Sequence, residues 1–180
     1  DFRRIKSGHD IVLIHSGSVY SDKNLDLFIS AAEKIKNIRV AIVIVGMPEN
    51  NYTQKLSDKC FVLGRVSYDT SNFLIKQSHA ILQPNRSSSY SGLSGKVFES
   101  LYSENFIITD KIVHNDLKTF KSKFSNIKEC VTEDEFVQCI YNIHSGVFKK
   151  SEVQNKSLLT REYWTGVLFD NLVEIKKHRK

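Results

Sequence analysis

The sequence predicts an α/β domain, a parallel sheet of about six strands covered by helices on both faces. Three observations predict it. Short β-branched runs alternate with longer stretches of helical apolar spacing along the chain. Several of those runs are apolar without interruption, as strands buried on both faces require. Most of them stop at a glycine or proline, which punctuates strand ends.

Taken in order, Ile11-Val12-Leu13-Ile14-His15 reads as the first strand, with Gly17 just after it. Leu25, Phe28, Ile29, Ala32 and Ile35 follow at helical spacing, with Asp22 as a candidate cap. Residues 40–45 form a second strand stopped by Gly46 and Pro48, and residues 60–63 a third stopped by Gly64. Phe73, Leu74 and Gln77 suggest a short helix, and residues 80–83 a fourth strand ended by Pro84. The polar, Ser- and Gly-rich stretch 85–95 is a loop, after which Val97, Phe98, Leu101 and Tyr102 open a helix. Residues 106–109 are a fifth strand and 127–131 a short sixth. Phe136, Val137, Ile140 and Ile143 mark another helix face, and 151–177 reads as two helices joined near Arg161 to Trp164. Residues 1–10 read as a linker from something upstream and 11–180 as the domain itself. A start at Asp1 rather than Met fits a piece cut from a longer protein.

Composition narrows the class. With 41% hydrophobic and 26% charged residues the chain is an ordinary globular one, not disordered, collagen-like or a disulfide-stapled miniprotein. Its longest apolar run, Val40 to Val45, is far short of the ~20 residues a membrane-spanning helix needs. Cys60, Cys130 and Cys139 are odd in number and lack metal-ligand spacing, so they read as idle thiols in a reducing compartment. A net charge of +6 and a pI near 9.2 favour anionic partners, among them phosphates, nucleotides, acidic lipids and nucleic acid, without choosing between them.

In parallel α/β sheets ligands bind beyond the carboxyl ends of the strands, which directs attention to the loops after Gly17, Gly64 and Pro84. Those loops exclude several chemistries. One glycine in the first loop is no dinucleotide fingerprint. Gly92-Leu93-Ser94-Gly95-Lys96-Val97 has two residues between its glycines where a P-loop has four, and Val97 where the magnesium-holding Ser or Thr belongs. His15 and Ser16 stand where a response regulator has a pair of acids. There is no Gly-x-Ser-x-Gly elbow and no Asp-x-Asp pair after a strand. The six histidines are scattered. Lys23, just before the first long helix, could reach an anion at the strand ends, although by position alone a solvated surface lysine is the better reading. Ser94, Gly95 and Lys96 could present backbone N–H groups to a phosphate. Glu99 could accept from two vicinal ribose hydroxyls, or form a one-turn ion pair with Lys96.

The order of these motifs resembles the C-terminal, donor-binding domain of GT-B glycosyltransferases, particularly the retaining family-4 enzymes. The matching pieces are Gly17 to Asn24 with its Lys23, Ile44-Val45-Gly46, Leu63-Gly64-Arg65-Val66, Gln83-Pro84, Ile107-Ile108-Thr109-Asp110 and Tyr163-Trp164. The clearest is Gly95-Lys96-Val97-Phe98-Glu99-Ser100-Leu101, similar to the Gly-Lys-Leu-Phe-Glu-Tyr-Leu of many bacterial polysaccharide transferases. Three departures stand out. Ser18 replaces a common arginine, Ser91 a common glutamate, and Glu104-Asn105-Phe106 the usual Gly-x-Pro.

The resemblance implies a Rossmann-like half of a GT-B fold and a retaining hexosyltransferase that uses a UDP- or GDP-sugar with no cofactor and no protein-bound metal. It implies catalytic roles for Lys23 and Glu99. The donor-binding set is then Gly17, Ser18, Lys23, Gly64, Arg65, Val66, Arg86, Ser94, Gly95, Lys96 and Glu99, in which Arg65 and Arg86 stand in for the positive charge lost at Ser18 and are equally readable as solvated arginines. The implied partners are the nucleotide-sugar and an N-terminal acceptor-binding domain of the same full-length protein, with a polysaccharide, lipid-linked or glycoconjugate acceptor. The implied location is cytoplasmic, with peripheral association of the full-length enzyme at the inner membrane face. The isolated domain is expected to be inactive. A degenerate, non-catalytic module is the alternative that Ser18 and Ser91 favour. Nucleic-acid binding has only the charge behind it, since no recognition motif is present.

Overall fold

The computed structural model describes residues 1–17, 25–47, 56–84, 100–110 and 124–150. Its elements run α1 (Phe2–Gly8), β1 (Ile11–Ser16), α2 (Leu25–Lys34), β2 (Val40–Val45), β3 (Cys60–Gly64), α3 (Tyr68–Gln77), β4 (Ala80–Gln83), β5 (Phe106–Thr109), β6 (Ile127–Glu129) and α4 (Glu133–His144). The six strands form one sheet in the order β3-β2-β1-β4-β5-β6, and every neighbouring pair is parallel. The parallel Rossmann-like sheet expected from the sequence is therefore what the chain forms.

Alternation along the strands feeds two separate cores. Ile11 and Leu13, Val40, Ile42 and Ile44, with Ala80 and Leu82, face α2 and α4. Val12 and Ile14, Ala41, Val43 and Val45, with Ile81, face α1 and α3. A strand with one apolar core on each face has to be apolar at every position, which is why β1 and β2 read as unbroken runs. On the first face Phe28 of α2 and Phe136 of α4 meet with ring centroids 5.1 Å apart. Helix α4 starts on a capping box, in which Thr132 accepts from the Glu135 N–H and the Glu135 carboxylate accepts from the Thr132 N–H. Lys59 donates to the Ala32 and Ile35 carbonyls, satisfying the C-terminal end of α2.

Three features depart from expectation. The expected linker, residues 1–10, contains the docked helix α1, whose Phe2 and Ile5 are buried in the second core. Helix α3 is a full ten residues, capped by Ser67, whose side chain accepts from the Thr70 N–H. Strand β3 is an edge and only partly buried. Its pairing with β2 slips between Ile44 and Val45, leaving Leu63 as an extra residue. All three cysteines are free thiols, and burial pushes Cys60 up to about 11, away from the thiolate a nucleophile needs. The candidate cap Asp22, the 85–95 loop and the helices of 151–177 lie outside the described residues. Among the described residues no helix is long and apolar enough to cross a membrane.

Candidate functional site at the carboxyl edge of the sheet

Strands β1 and β4 are neighbours in space, yet the chain leaves β1 for β2 on one side and β4 for β5 on the other. The strand order reverses at that joint, and in open parallel sheets this is where a ligand crevice lies, beyond the carboxyl ends of the strands. The joint itself is short, since only Leu13↔Ala80 and Ile14↔Ile81 are in register. One residue further along, the His15 Nδ1–H donates across it to the Leu82 carbonyl at 3.2 Å, from a ring only 2% exposed.

Glycines shape the same edge on the β3 side. Gly17 follows β1 with φ +142°, and its N–H donates to the Val45 carbonyl at 2.8 Å. Gly46 follows β2, also at φ +142°, and donates to the Gly64 carbonyl at 2.9 Å. Gly64, at φ +71°, ends β3. These positive-φ positions turn three adjacent strands outward, which a residue with a Cβ does only with strain. Beyond Gly64 the exposed Arg65 and half-buried Val66 lead to the Ser67 cap of α3, and Val66 packs against the second core. Helix α3 then returns toward β1, where the Ser71 and Ser16 hydroxyls lie 2.9 Å apart. At the end of β5, Thr109 and Asp110 are buried on this same edge.

Of the residues the sequence singles out, Gly17, Gly64, Arg65 and Val66 stand on this edge. Ser18 and Lys23 belong to segment 18–24, which leaves β1 at Gly17. Arg86, Ser94, Gly95, Lys96 and Glu99 belong to segment 85–99, which leaves β4 at Pro84, and the contrasting position Ser91 is in that segment too. Both segments lie outside the described residues, but the points where they join the sheet, Gly17 and Pro84, follow the two strands that meet at the joint. Sequence reasoning passed over His15, Ser16 and Ser71 as site-forming residues. A signal for Ser71 existed: it sits at the i position of the i, i+3, i+4 set completed by buried Leu74 and Ile75, a polar residue on an apolar face.

The strongest charge effects lie at the opposite edge. There the Arg39 guanidinium and backbone N–H bind Asp10 and hold its carboxyl down to about 2. At the same edge His79 is lowered, first by burial and then by the charges of Lys150 and Lys6. The described frame of the carboxyl edge is made of backbone, hydroxyls, the His15 ring, the buried Asp110 and the exposed Arg65. Positive charge for an anionic ligand would come from Arg65 and from the segments that carry Lys23, Lys96 and Arg86. Among the described residues no three His, Cys, Asp or Glu side chains gather as a metal site would need.

The family model for glycosyl transferases group 1 matches residues 10–135. No curated protein matches the chain. Among solved structures it is similar to Anabaena Alr3699/HepE in complex with UDP-glucose, with a TM-score of 0.69 at 9% identity over 98% of this chain and 51% of that one. It is similar to the C-terminal domain of a glycosyl transferase group 1 family protein (LpcC) from Francisella tularensis, with a TM-score of 0.60 at 14% identity over 85% of this chain and 86% of that domain. A third likeness is to WaaG, a glycosyltransferase involved in lipopolysaccharide biosynthesis, with a TM-score of 0.58 at 14% identity over 80% of this chain and 41% of that one. At such identities the likeness is one of fold, and the chain spans about half the length of the full enzymes.

Proposed function

Given that this chain belongs to the glycosyl transferases of group 1, we propose that it is the nucleotide-sugar-binding half of a retaining hexosyltransferase. The observation that carries this reading is topological. The segments bearing Lys23 and the Ser94 to Glu99 run leave the sheet from adjacent strands, at the point where strand order reverses. A diphosphate lying in that crevice would meet both. In the proposed reaction the bond from the anomeric carbon to the diphosphate oxygen breaks and its electron pair stays on the leaving diphosphate, while an acceptor hydroxyl oxygen bonds to that carbon on the same face and its proton passes to the diphosphate. Lys23, the backbone N–H groups from Ser94 to Lys96, and Arg86 stabilise that charge. Such preorganised electrostatics are usually the largest catalytic contribution. The turn through Gly64, Arg65 and Val66 holds the base, and Glu99 accepts from the ribose hydroxyls. No protein-bound metal is needed in this scheme, because the cations are side chains and backbone dipoles.

The acceptor, a polysaccharide, lipid-linked sugar or glycoconjugate, is held by a second, N-terminal domain, and the complete enzyme works at the inner membrane face. HepE was solved with UDP-glucose, and its chain is about twice the length of the part matched here, which supports this division of labour. On this reading the chain alone binds donor and does not transfer sugar, because closure of two domains excludes water and aligns the acceptor.

A thermal-shift panel tests it. UDP or GDP at a hundredfold excess over its Kd would stabilise the chain by about 2.7 kcal/mol, and oligonucleotides would not. Silence with both nucleotides would point to a non-catalytic module, and sugar transfer by this chain at full rate would refute the two-domain account.

A further inference from the structure

We propose that the Ser16–Ser71 hydroxyl pair sets the distance between the phosphate-binding and base-binding parts of the donor site, which makes both serines positioning residues for a nucleoside diphosphate. The inference rests on the donor-site reading above. Ser16 is the last residue of β1, one position before Gly17, where the segment holding Lys23 begins. Ser71 is in the first turn of α3, and its N–H donates to the Ser67 carbonyl at 2.9 Å. Ser67 follows directly on Gly64, Arg65 and Val66 in the chain. The Oγ–Oγ contact of 2.9 Å therefore ties the root of the phosphate segment to the root of the base-holding turn.

Other ties across this edge run through β2. Gly17 bonds to Val45, and Gly46 bonds to Gly64. Those links are backbone bonds at glycines, the residues least able to hold a fixed conformation. The serine pair spans directly from β1 to α3. Its chemistry also differs from that of its surroundings. Ser71 is 5% exposed and shares its helix face with Leu74 and Ile75. An alanine there would pack without the cost of burying a hydroxyl. What the hydroxyl adds is a defined separation and direction, because a hydrogen bond weakens steeply away from its preferred geometry while apolar contact does not.

Spacing matters for a ligand with two ends. The nucleoside and the pyrophosphate each bind weakly, and joining them raises affinity only as far as the two subsites are held at the ligand's own span. Loosening the tie should weaken the joined ligand and spare its halves.

The experiment titrates the purified chain with UDP and with GDP, and separately with the matching nucleoside and with inorganic pyrophosphate. The proteins are wild type, Ser16→Ala, Ser71→Ala and the double variant, and melting temperatures are recorded alongside. Each single variant should bind the nucleoside diphosphate roughly three- to tenfold more weakly, as loss of one neutral hydrogen bond predicts. Nucleoside and pyrophosphate affinities should stay put. The double variant should be no worse than the weaker single one, because the two hydroxyls act through one bond. Equal losses for all three ligands, additive losses in the double variant, or an unchanged affinity ratio with only a lower melting temperature would each overturn the positioning role. If wild type binds neither UDP nor GDP, the donor-site reading itself fails, a result distinct from wild-type binding that the variants leave unaltered.

Discussion

His79 closes the central joint of the sheet with a side chain where another residue would use a carbonyl. Its backbone N–H donates to the Val12 carbonyl at 2.8 Å, and its Nδ1 accepts from the Val12 N–H at 3.0 Å. Val12 is fully buried, so no water can replace that acceptor. Replacing His79 by alanine leaves a buried N–H unpaired, at a cost of about 1–3 kcal/mol. For a chain of this length each kcal/mol moves the melting temperature about 2–4 °C, so the expected fall is about 2–12 °C. His79→Asn should lose far less, because Oδ1 stands close to the place of Nδ1 and accepts the same bond. The two variants also differ from wild type in acid. Only the neutral ring can accept from Val12. Burial and the charges of Lys150 and Lys6 hold the folded-state value below the ordinary 6.5. The unfolded chain then binds a proton more readily than the folded one. This contribution is complete above pH 6.5 and is lost as pH falls through the lowered folded value. Denaturant melts of the three proteins at about pH 7.5 and about pH 5.5 measure both effects. An alanine variant as stable as wild type, or an asparagine variant with the full acid limb of wild type, would refute the reasoning.

Other perturbations separate frame from site. Gly64→Ala places a Cβ only 3.8 Å from the Met47 sulfur, an ordinary contact, so its cost is the left-handed backbone alone, about 1–2 kcal/mol. Gly64→Asn should recover part of this, and a Gly64→Ala chain that melts with wild type would contradict it. Lys23→Ala should weaken UDP or GDP binding by roughly ten- to a hundredfold with the fold intact, and unchanged calorimetric affinity would place the phosphate contact elsewhere. Glu99→Gln should cost about 1–2 kcal/mol of nucleotide affinity, more for the ribonucleotide than for its 2′-deoxy analogue. Equal effects on the two would assign Glu99 to an ion pair with Lys96.

The strands were legible because burial on both faces leaves a strong mark. Val40–Val45, Ala80–Gln83 and Phe106–Thr109 fall where their apolar runs begin and end. Helix α1 left almost no mark, since two buried residues among Arg3, Arg4 and Lys6 make no periodic pattern. The first turn of α3, Tyr68-Asp69-Thr70-Ser71, reads as loop because its residues are polar, and the helix is set there by the Ser67 cap and by what it packs on. The roots of the site were visible as glycines, for a strand that must turn at positive φ names its residue. The Ser16–Ser71 contact was not visible, since partners 55 residues apart leave no local spacing to read. Nor was the His79 contact, in which a ring stands in for backbone.

The slip at Leu63 also governs how the chain meets copies of itself. A flat, exposed strand at the border of a sheet is a template for another chain, and α/β proteins have to blunt it. Here the β3 border is five residues long, kinked by its extra residue, and followed by exposed Arg65. The β6 border is three residues, with Lys128 drawn over the Phe148 ring at 3.8 Å. Neither offers a straight run of unpaired amides long enough to nucleate edge-to-edge stacking. Val62, 42% exposed on β3, can therefore face water without making that border adhesive. Deleting Leu63 would remove that kink and pair β3 with β2 without a break, undoing one of the devices that blunt this border.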